Sequence, residues 1–170
     1  PATVSSALIS AATHEVKFIT IHGFGGKSVL QTAAEVKSLG LEVLAVTVLT
    51  SVSELELDDL GFKKNLSLIQ LVLNRASEAE KYGCAGVICS GEEISSIKRV
   101  CKPDFKVVVP GIRPLWAEVR KDDQSRTITP KDAILKGADM IVVGRPIRNA
   151  KEPDVAARKV VDEIRSALIA

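Results

Sequence analysis

The stretch MIVVGRPI, Met140 to Ile147, runs four apolar residues straight into Gly144-Arg145-Pro146. Near-continuous Val and Ile, rather than alternation with polar residues, is what a strand covered on both faces requires, and it points to a parallel sheet. Four other runs read the same way: KFITIHG (17–23), LEVLAVTVLT (41–50), AGVICSG (85–91) and KVVVPGIR (106–113).

Segments of helical period separate them. KSVLQTAAEVKSLG places Val29, Leu30, Ala33 and Val36 on one stripe and stops at Gly40. LSLIQLVLNRASEAEKYG aligns Ile69, Val72, Leu73, Ala76 and Ala79 and stops at Gly83, and EEISSIKRV is a shorter version. TPKDAILKG opens with Thr129 as N-cap, Pro130 at the first helical position and Asp132 three residues after the cap, and ends at Gly137. PDVAARKVVDEIRSALIA turns Val155, Val160, Ile164 and Leu168 inward, and the opening PATVSSALISAAT does so with Val4, Leu8 and Ala11 or Ala12. The order is one helix followed by five βα units. A doubly wound sheet of five strands suits that count, whereas a complete (β/α)₈ barrel needs eight strands and about 250 residues.

The 170 residues, 46% apolar and 26% charged, predict one domain over 1–170. A net charge of +2 with interspersed signs gives no case for a nucleic-acid or membrane-surface partner, so a charged ligand needs a local site. Cys84, Cys89 and Cys101 lack paired C-x-x-C spacing and read as reduced, mostly buried thiols. No combination of His, Asp and Glu suggests a metal site. No apolar run reaches the roughly 18 residues of a membrane span. The opening segment lacks the pattern of a signal peptide, and the expected compartment is the cytoplasm.

Ligands of α/β folds sit at the carboxyl ends of strands, and four of the five runs end in small or polar residues there. Gly144 permits close approach of the backbone to a ligand, and Arg145 adds a forked, permanent positive charge; together they suit a phosphate. Arg113, one strand earlier, strengthens that reading. The alternative is a turn glycine beside a surface ion pair. Pro114 to Thr129 is long for a connection between strand and helix, so Gln124 reads either as a donor closing over a phosphate or as part of a solvated loop. Thr50 and Ser51 either orient a polar ring or cap the next helix. His22 reads as structural, His14 as a surface residue. The H-G-F-G-G run lacks dinucleotide spacing. No strand end offers a convincing general acid, base or nucleophile.

LTS at 49–51, PGIRP at 110–114, DDQ-S-R at 122–126 with Thr129-Pro130 after it, and VVGRPI at 142–147 resemble, in order and approximate spacing, the bacterial-type orotidine 5′-monophosphate decarboxylase family. The resemblance implies a (β/α)₈ TIM-barrel enzyme, dimeric and without metal or organic cofactor, that converts orotidine monophosphate to UMP. It implies that Arg145 and the Gly144 backbone grip the phosphate with Gln124, that Arg113 contacts the substrate, and that Thr50 holds the pyrimidine. A sister phosphosugar lyase on the same barrel is the neighbouring reading, and a non-catalytic nucleotide-binding or assembly fragment the more distant one.

One part of the family pattern is missing. Its D-x-K-x-x-D catalytic array is followed closely by a Pro-x-Thr, which Pro1-Ala2-Thr3 resembles. On that alignment the array precedes Pro1, the five units are strands four to eight of an incomplete barrel, and Thr3 reaches the ribose across a dimer interface. No catalytic residue is then expected in this chain. An arc of five strands leaves two edges and an uncovered interior, so a homo-oligomer or a complementing N-terminal segment is expected.

Overall fold

In the computed structural model, the residues described are 1–49, 56–59, 61–62, 67–117 and 126–169. The chain opens with α1 (Ala2–Thr13), which leads into β1 (Phe18–His22). Then come α2 (Lys27–Leu30), α3 (Thr32–Val36) with a 3₁₀ turn at Lys37–Leu39, β2 (Glu42–Val46), α4 (Glu56–Asp59), α5 (Leu68–Lys81) and β3 (Gly86–Ile88). The rest is α6 (Ile94–Val100), β4 (Lys106–Val109), α7 (Pro130–Leu135), β5 (Met140–Ile141), α8 (Arg145–Arg148) and α9 (Pro153–Leu168).

All five strands are parallel, and their spatial order is their chain order, β1-β2-β3-β4-β5. A doubly wound sheet reverses direction at a switch point and carries helices on both faces. Among the described residues neither occurs. Val43, Ala45, Val87, Val107 and Val109 share one core with Leu8 of α1, Val36 of α3, Val72 of α5, Ile97 of α6 and Ala133 of α7. Alternate residues point the other way, and parallel register aligns them in rows: Thr20, Leu44, Gly86 and Lys106 in one, His22, Val46, Ile88, Val108 and Met140 in the next. Helices outside and a curved row of side chains inside describe an arc of (β/α) barrel wall, and the doubly wound alternative falls on strand order.

The helices form largely where the periodicity puts them. Ser67 caps α5 by accepting from the Gln70 amide, while the Gln70 side chain accepts from the Ser67 amide. Thr129 caps α7, with Pro130 at its first position. The segment expected as one helix over 27–39 is broken, and the Thr32 hydroxyl donates back to the Val29 carbonyl at the break, 2.6 Å away. Two stripes are displaced from expectation. In α5, Leu68 and Leu71 are buried and Ile69 is exposed. In α9, Ala156, Val160 and Ala167 are buried while Val155 and Leu168 face solvent.

Glu42, at the start of β2, sits between two lysines, its Oε2 at 2.6 Å from Lys106 Nζ and its Oε1 at 2.8 Å from Lys17 Nζ. The Lys106 hydrogen bond, then that of Lys17, holds its carboxyl below the usual value of 4.5. A depressed carboxylate stabilises the fold in full above the unfolded-state value, and that stability is lost as pH falls through the folded-state value. Urea denaturation at stepped pH should therefore show stability declining below about 4.5, and Glu42→Gln should flatten the decline. An unchanged pH profile in that variant would assign the acid sensitivity elsewhere.

Gly86 serves close approach: a Cβ there would stand 2.3 Å from the Lys106 carbonyl oxygen and 2.7 Å from the Lys106 Cβ. The backbone of β4 cannot yield without breaking its pairing. Gly86→Ala should cost about 2 kcal/mol in chemical denaturation, and a neutral result would show that β3 and β4 can separate locally.

Candidate functional site at the strand ends

Parallel strands bring their carboxyl ends to one rim, and the residues after each strand build it. After β1, Phe24 packs on Phe62 with ring centroids 5.6 Å apart. After β2, the buried Thr47 donates through both its amide (3.1 Å) and its hydroxyl (3.0 Å) to the Ile88 carbonyl, tying the end of β2 to β3.

The connection after β4 is closed at its base. Gly111 takes φ +73°, a left-handed turn that a side chain would strain, and the chain then bridges back on itself. Ile112 pairs with Ile128, the Arg113 amide donates to the Ile128 carbonyl (2.8 Å), and the Ile128 amide donates to the Gly111 carbonyl (3.3 Å). Just beyond, Trp116 Nε1 donates to Glu163 Oε1 of α9 (2.7 Å), and Lys159 Nζ lies 5.3 Å from the indole centroid. The outgoing limb is thereby tied to α9.

The returning limb is held by a buried ion pair. Arg126 and Glu93, 7% and 2% exposed, pair through Arg126 Nη1 and Glu93 Oε1. Arg126 also donates to Ser90 Oγ (3.2 Å) and, through Nη2, to the Leu49 carbonyl (3.0 Å). The other Glu93 oxygen accepts from the Ser90 amide (2.8 Å) and hydroxyl (2.6 Å). Motif reading passed over this pair, naming Arg126 without a role and Glu93 as part of a helix. The signal was present in Ser90-x-x-Glu93, the spacing at which a glutamate reaches back to the amide of a capping serine.

Gly144 and Arg145 follow β5 on the strand next to Arg113. Among the described residues no atom lies within 4 Å of where a Cβ on Gly144 would stand. Arg145, half-buried, begins α8 and lines a cleft of about 650 Å³ with Trp116, Asn149, Lys151 and Lys159. Arg113, also half-buried, donates from Nη1 to the Ile112 carbonyl (2.8 Å) and lines another depression, with Thr127, Thr129 and Asp132. The two arginines stand on adjoining strand ends, and each lines a different one of these two depressions. Thr3 is exposed in the first turn of α1, which packs on α3 beside β1, at the opposite edge of the arc from Arg145. Thr50, Ser51 and Gln124 lie outside the described residues.

Cys84, Cys89 and Cys101 are free and buried, as the spacing suggested. Burial pushes the Cys84 thiol up to about 12 and the Cys101 thiol to about 11. Burial also raises Cys89, reinforced by Glu93 and opposed by Arg126, so none of the three is poised as a thiolate. Among the described residues no cluster of three His, Cys, Asp or Glu side chains is arranged to hold a metal ion, and no helix is long and apolar enough to cross a membrane.

Comparison with known proteins places this arrangement. The profile of the orotidine 5′-phosphate decarboxylase / HUMPS family matches residues 1–160. The chain is 44% identical over 168 residues to orotidine 5′-phosphate decarboxylase of Xanthomonas euvesicatoria pv. vesicatoria, covering 99% of this chain and 67% of that protein. To the enzyme of Nostoc sp. it is 38% identical over 176 residues, covering 99% and 73%. The crystal structure of orotidine 5′-phosphate decarboxylase from Lactobacillus acidophilus superposes with a TM-score of 0.80 at 33% identity, over 96% of this chain and 70% of that one. That from Pyrococcus horikoshii OT3 does so at 0.69 and 27%, over 97% and 69%. The chain thus spans about two-thirds to three-quarters of these relatives, and its five-stranded arc is part of a (β/α) barrel of their kind. By sequence over nearly its whole length, and by fold, the chain belongs to the orotidine 5′-phosphate decarboxylase / HUMPS family.

Proposed function

We propose that this chain carries the nucleotide-binding part of an orotidine 5′-monophosphate decarboxylase, the enzyme that forms UMP in de novo pyrimidine biosynthesis. The observation that supports it most is the end of β5. There a glycine with no atom of the described residues within 4 Å of where a Cβ would stand is followed at once by Arg145, in a cleft that holds Lys151 and Lys159 against one acid, Glu152. Positive charge beside an unobstructed main chain is the chemistry of a phosphate site. In this reading Arg145 and the Gly144 amide hold the 5′-phosphate and Gln124 joins them. Arg113 supplies a further contact from the adjoining strand end, Thr50 hydrogen-bonds the pyrimidine, and Thr3 reaches the ribose of a partner copy.

The reacting carbon needs other groups. No D-x-K-x-x-D occurs anywhere in the 170 residues, and among the described residues no strand end presents an acid and base in its place. Decarboxylation leaves a carbanion, which a positioned ammonium between carboxylates stabilises and then protonates. The residues of this chain do a different part of the work. They hold the phosphate and ring, and binding energy gathered far from the carboxylate can then be used at the transition state. This polypeptide by itself is accordingly expected to bind UMP and to release no CO₂ from orotidine monophosphate. Turnover by these 170 residues alone would mean that the catalytic groups stand among them.

Trp116 is the single tryptophan and lines the same cleft as Arg145, so its emission reports on that cleft directly. Titration with UMP should change it saturably, and Arg145→Ala should weaken the apparent affinity by about 1.5 to 3 kcal/mol, the range for a charged hydrogen bond. Equal affinity in the variant would remove Arg145 from the phosphate site. Tighter binding of a pentulose 5-phosphate than of UMP would favour a sister lyase instead.

A further inference from the structure

Three segments that the sheet holds on different strands meet at one guanidinium. Arg126 reaches the Leu49 carbonyl at the end of β2, Ser90 and Glu93 after β3, and belongs itself to the return of the connection between β4 and α7. Two residues on, Ile128 pairs with Ile112 and with the Arg113 amide. Gly91 lies so close to Ile128 that a Cβ on it would stand 2.7 Å from the Ile128 side chain, so the β3 loop and this return are in firm contact. An unbroken described path therefore runs from Leu49, through Arg126, to Arg113.

Net stability does not account for placing ions there. Withdrawing both charges from water offsets most of their attraction, and apolar residues of similar volume commonly serve as well or better. Arg126 Nε, moreover, is buried with no hydrogen-bond partner among the described residues. What an ion pair supplies, and apolar packing does not, is direction. Arg126 fixes a carbonyl, a hydroxyl and a carboxylate at defined angles, and Glu93 fixes an amide and the same hydroxyl.

We propose that Glu93 and Arg126 form a positioning pair that locks the end of β2 to the return limb beside Arg113, so that a nucleotide held at one is felt at the other. This rests on the reading of the site as a nucleotide site. In it Leu49 adjoins the residue assigned to the pyrimidine, and Arg113 is assigned to the phosphate side. With the pair intact, ordering either end lowers the cost of ordering the other, which is a coupling free energy between the two halves of one ligand. Neither residue touches substrate in this arrangement; both act through what they hold.

The test uses the full chain, its Arg126→Lys variant, and the double variant Glu93→Gln with Arg126→Gln, which removes both charges while keeping polar side chains. Calorimetric titration with UMP, uridine and ribose 5-phosphate separates the two ends of the ligand. The double variant is expected to lose roughly tenfold in UMP affinity while ribose 5-phosphate and uridine bind as before, and Arg126→Lys should fall between. Loss of all three ligands in the same proportion, or unchanged UMP binding, overturns the proposal. The unmodified chain gives an arm that needs no variant: UMP should slow hydrogen exchange at the Ser90 and Arg113 amides together, and ribose 5-phosphate, which occupies the phosphate end alone, should slow Arg113 and, through the pair, Ser90 to a smaller extent. Slowing of Arg113 without Ser90 on adding UMP counts against the pair. Failure of the unmodified chain to bind UMP at all is a separate result, which overturns the nucleotide reading and with it this inference.

Discussion

Pairing of each strand with its successor in parallel is the constraint on which the molecule depends. Each strand must be followed by a crossover back to the starting end, and right-handed crossovers place those helices on one face. Every strand then finishes at the same rim. Residues as distant in sequence as Leu49, Ser90, Arg126 and Arg145 become neighbours there through this rule of connection, before any contact between their side chains is considered. Gly86 shows how tightly the pairing is drawn, since even a methyl group would meet the carbonyl of the next strand.

The two ends of the sheet use charge in different ways. Near the strand starts, Glu42 is shared between Lys17 and Lys106 where water still reaches all three, so the arrangement responds to pH and salt and adds modestly to stability. At the rim, Arg126 and Glu93 are almost wholly enclosed. Enclosure makes their geometry costly to break and insensitive to salt, which suits a fixed reference for the loops around it. Ser90 completes that reference by bonding both ions.

Much of this was legible in the sequence, for identifiable reasons. The five strands were readable because runs of Val and Ile are imitated by no helix stripe, although only β2, β3 and β4 are mostly buried while β1 exposes Thr20 and His22, and α7 because Thr129, Pro130 and Asp132 each act on the local backbone. The registers of α5 and α9 were less so. An apolar residue marks a buried position only by size and hydropathy, and α9, lying against α7 and α8, buries the small Ala156 and Ala167 and leaves Val155 and Leu168 outside. Curvature was also hidden: one more βα unit reads the same in an open sheet and in a barrel, and strand order, a tertiary property, decided between them. The positions of Gly144, Arg145 and Arg113 at strand ends followed from the motifs. That the two arginines line separate depressions did not, because a motif fixes the place on the backbone and leaves the side-chain direction to its neighbours.

In the proposed phosphate site the two arginines stand on different supports. The Arg113 guanidinium is held to its own backbone, Nη1 donating to the Ile112 carbonyl, which fixes the plane of the group. Arg145 starts a short helix directly after Gly144, so that in the proposed phosphate site the main chain and the side chain address one ligand from adjacent residues. The connection from Pro114 onward leaves between these two points, tied outward to α9 through Trp116 and inward through Arg126. Its two limbs are thus fixed independently, one to the outer helix layer and one to the buried core of the rim.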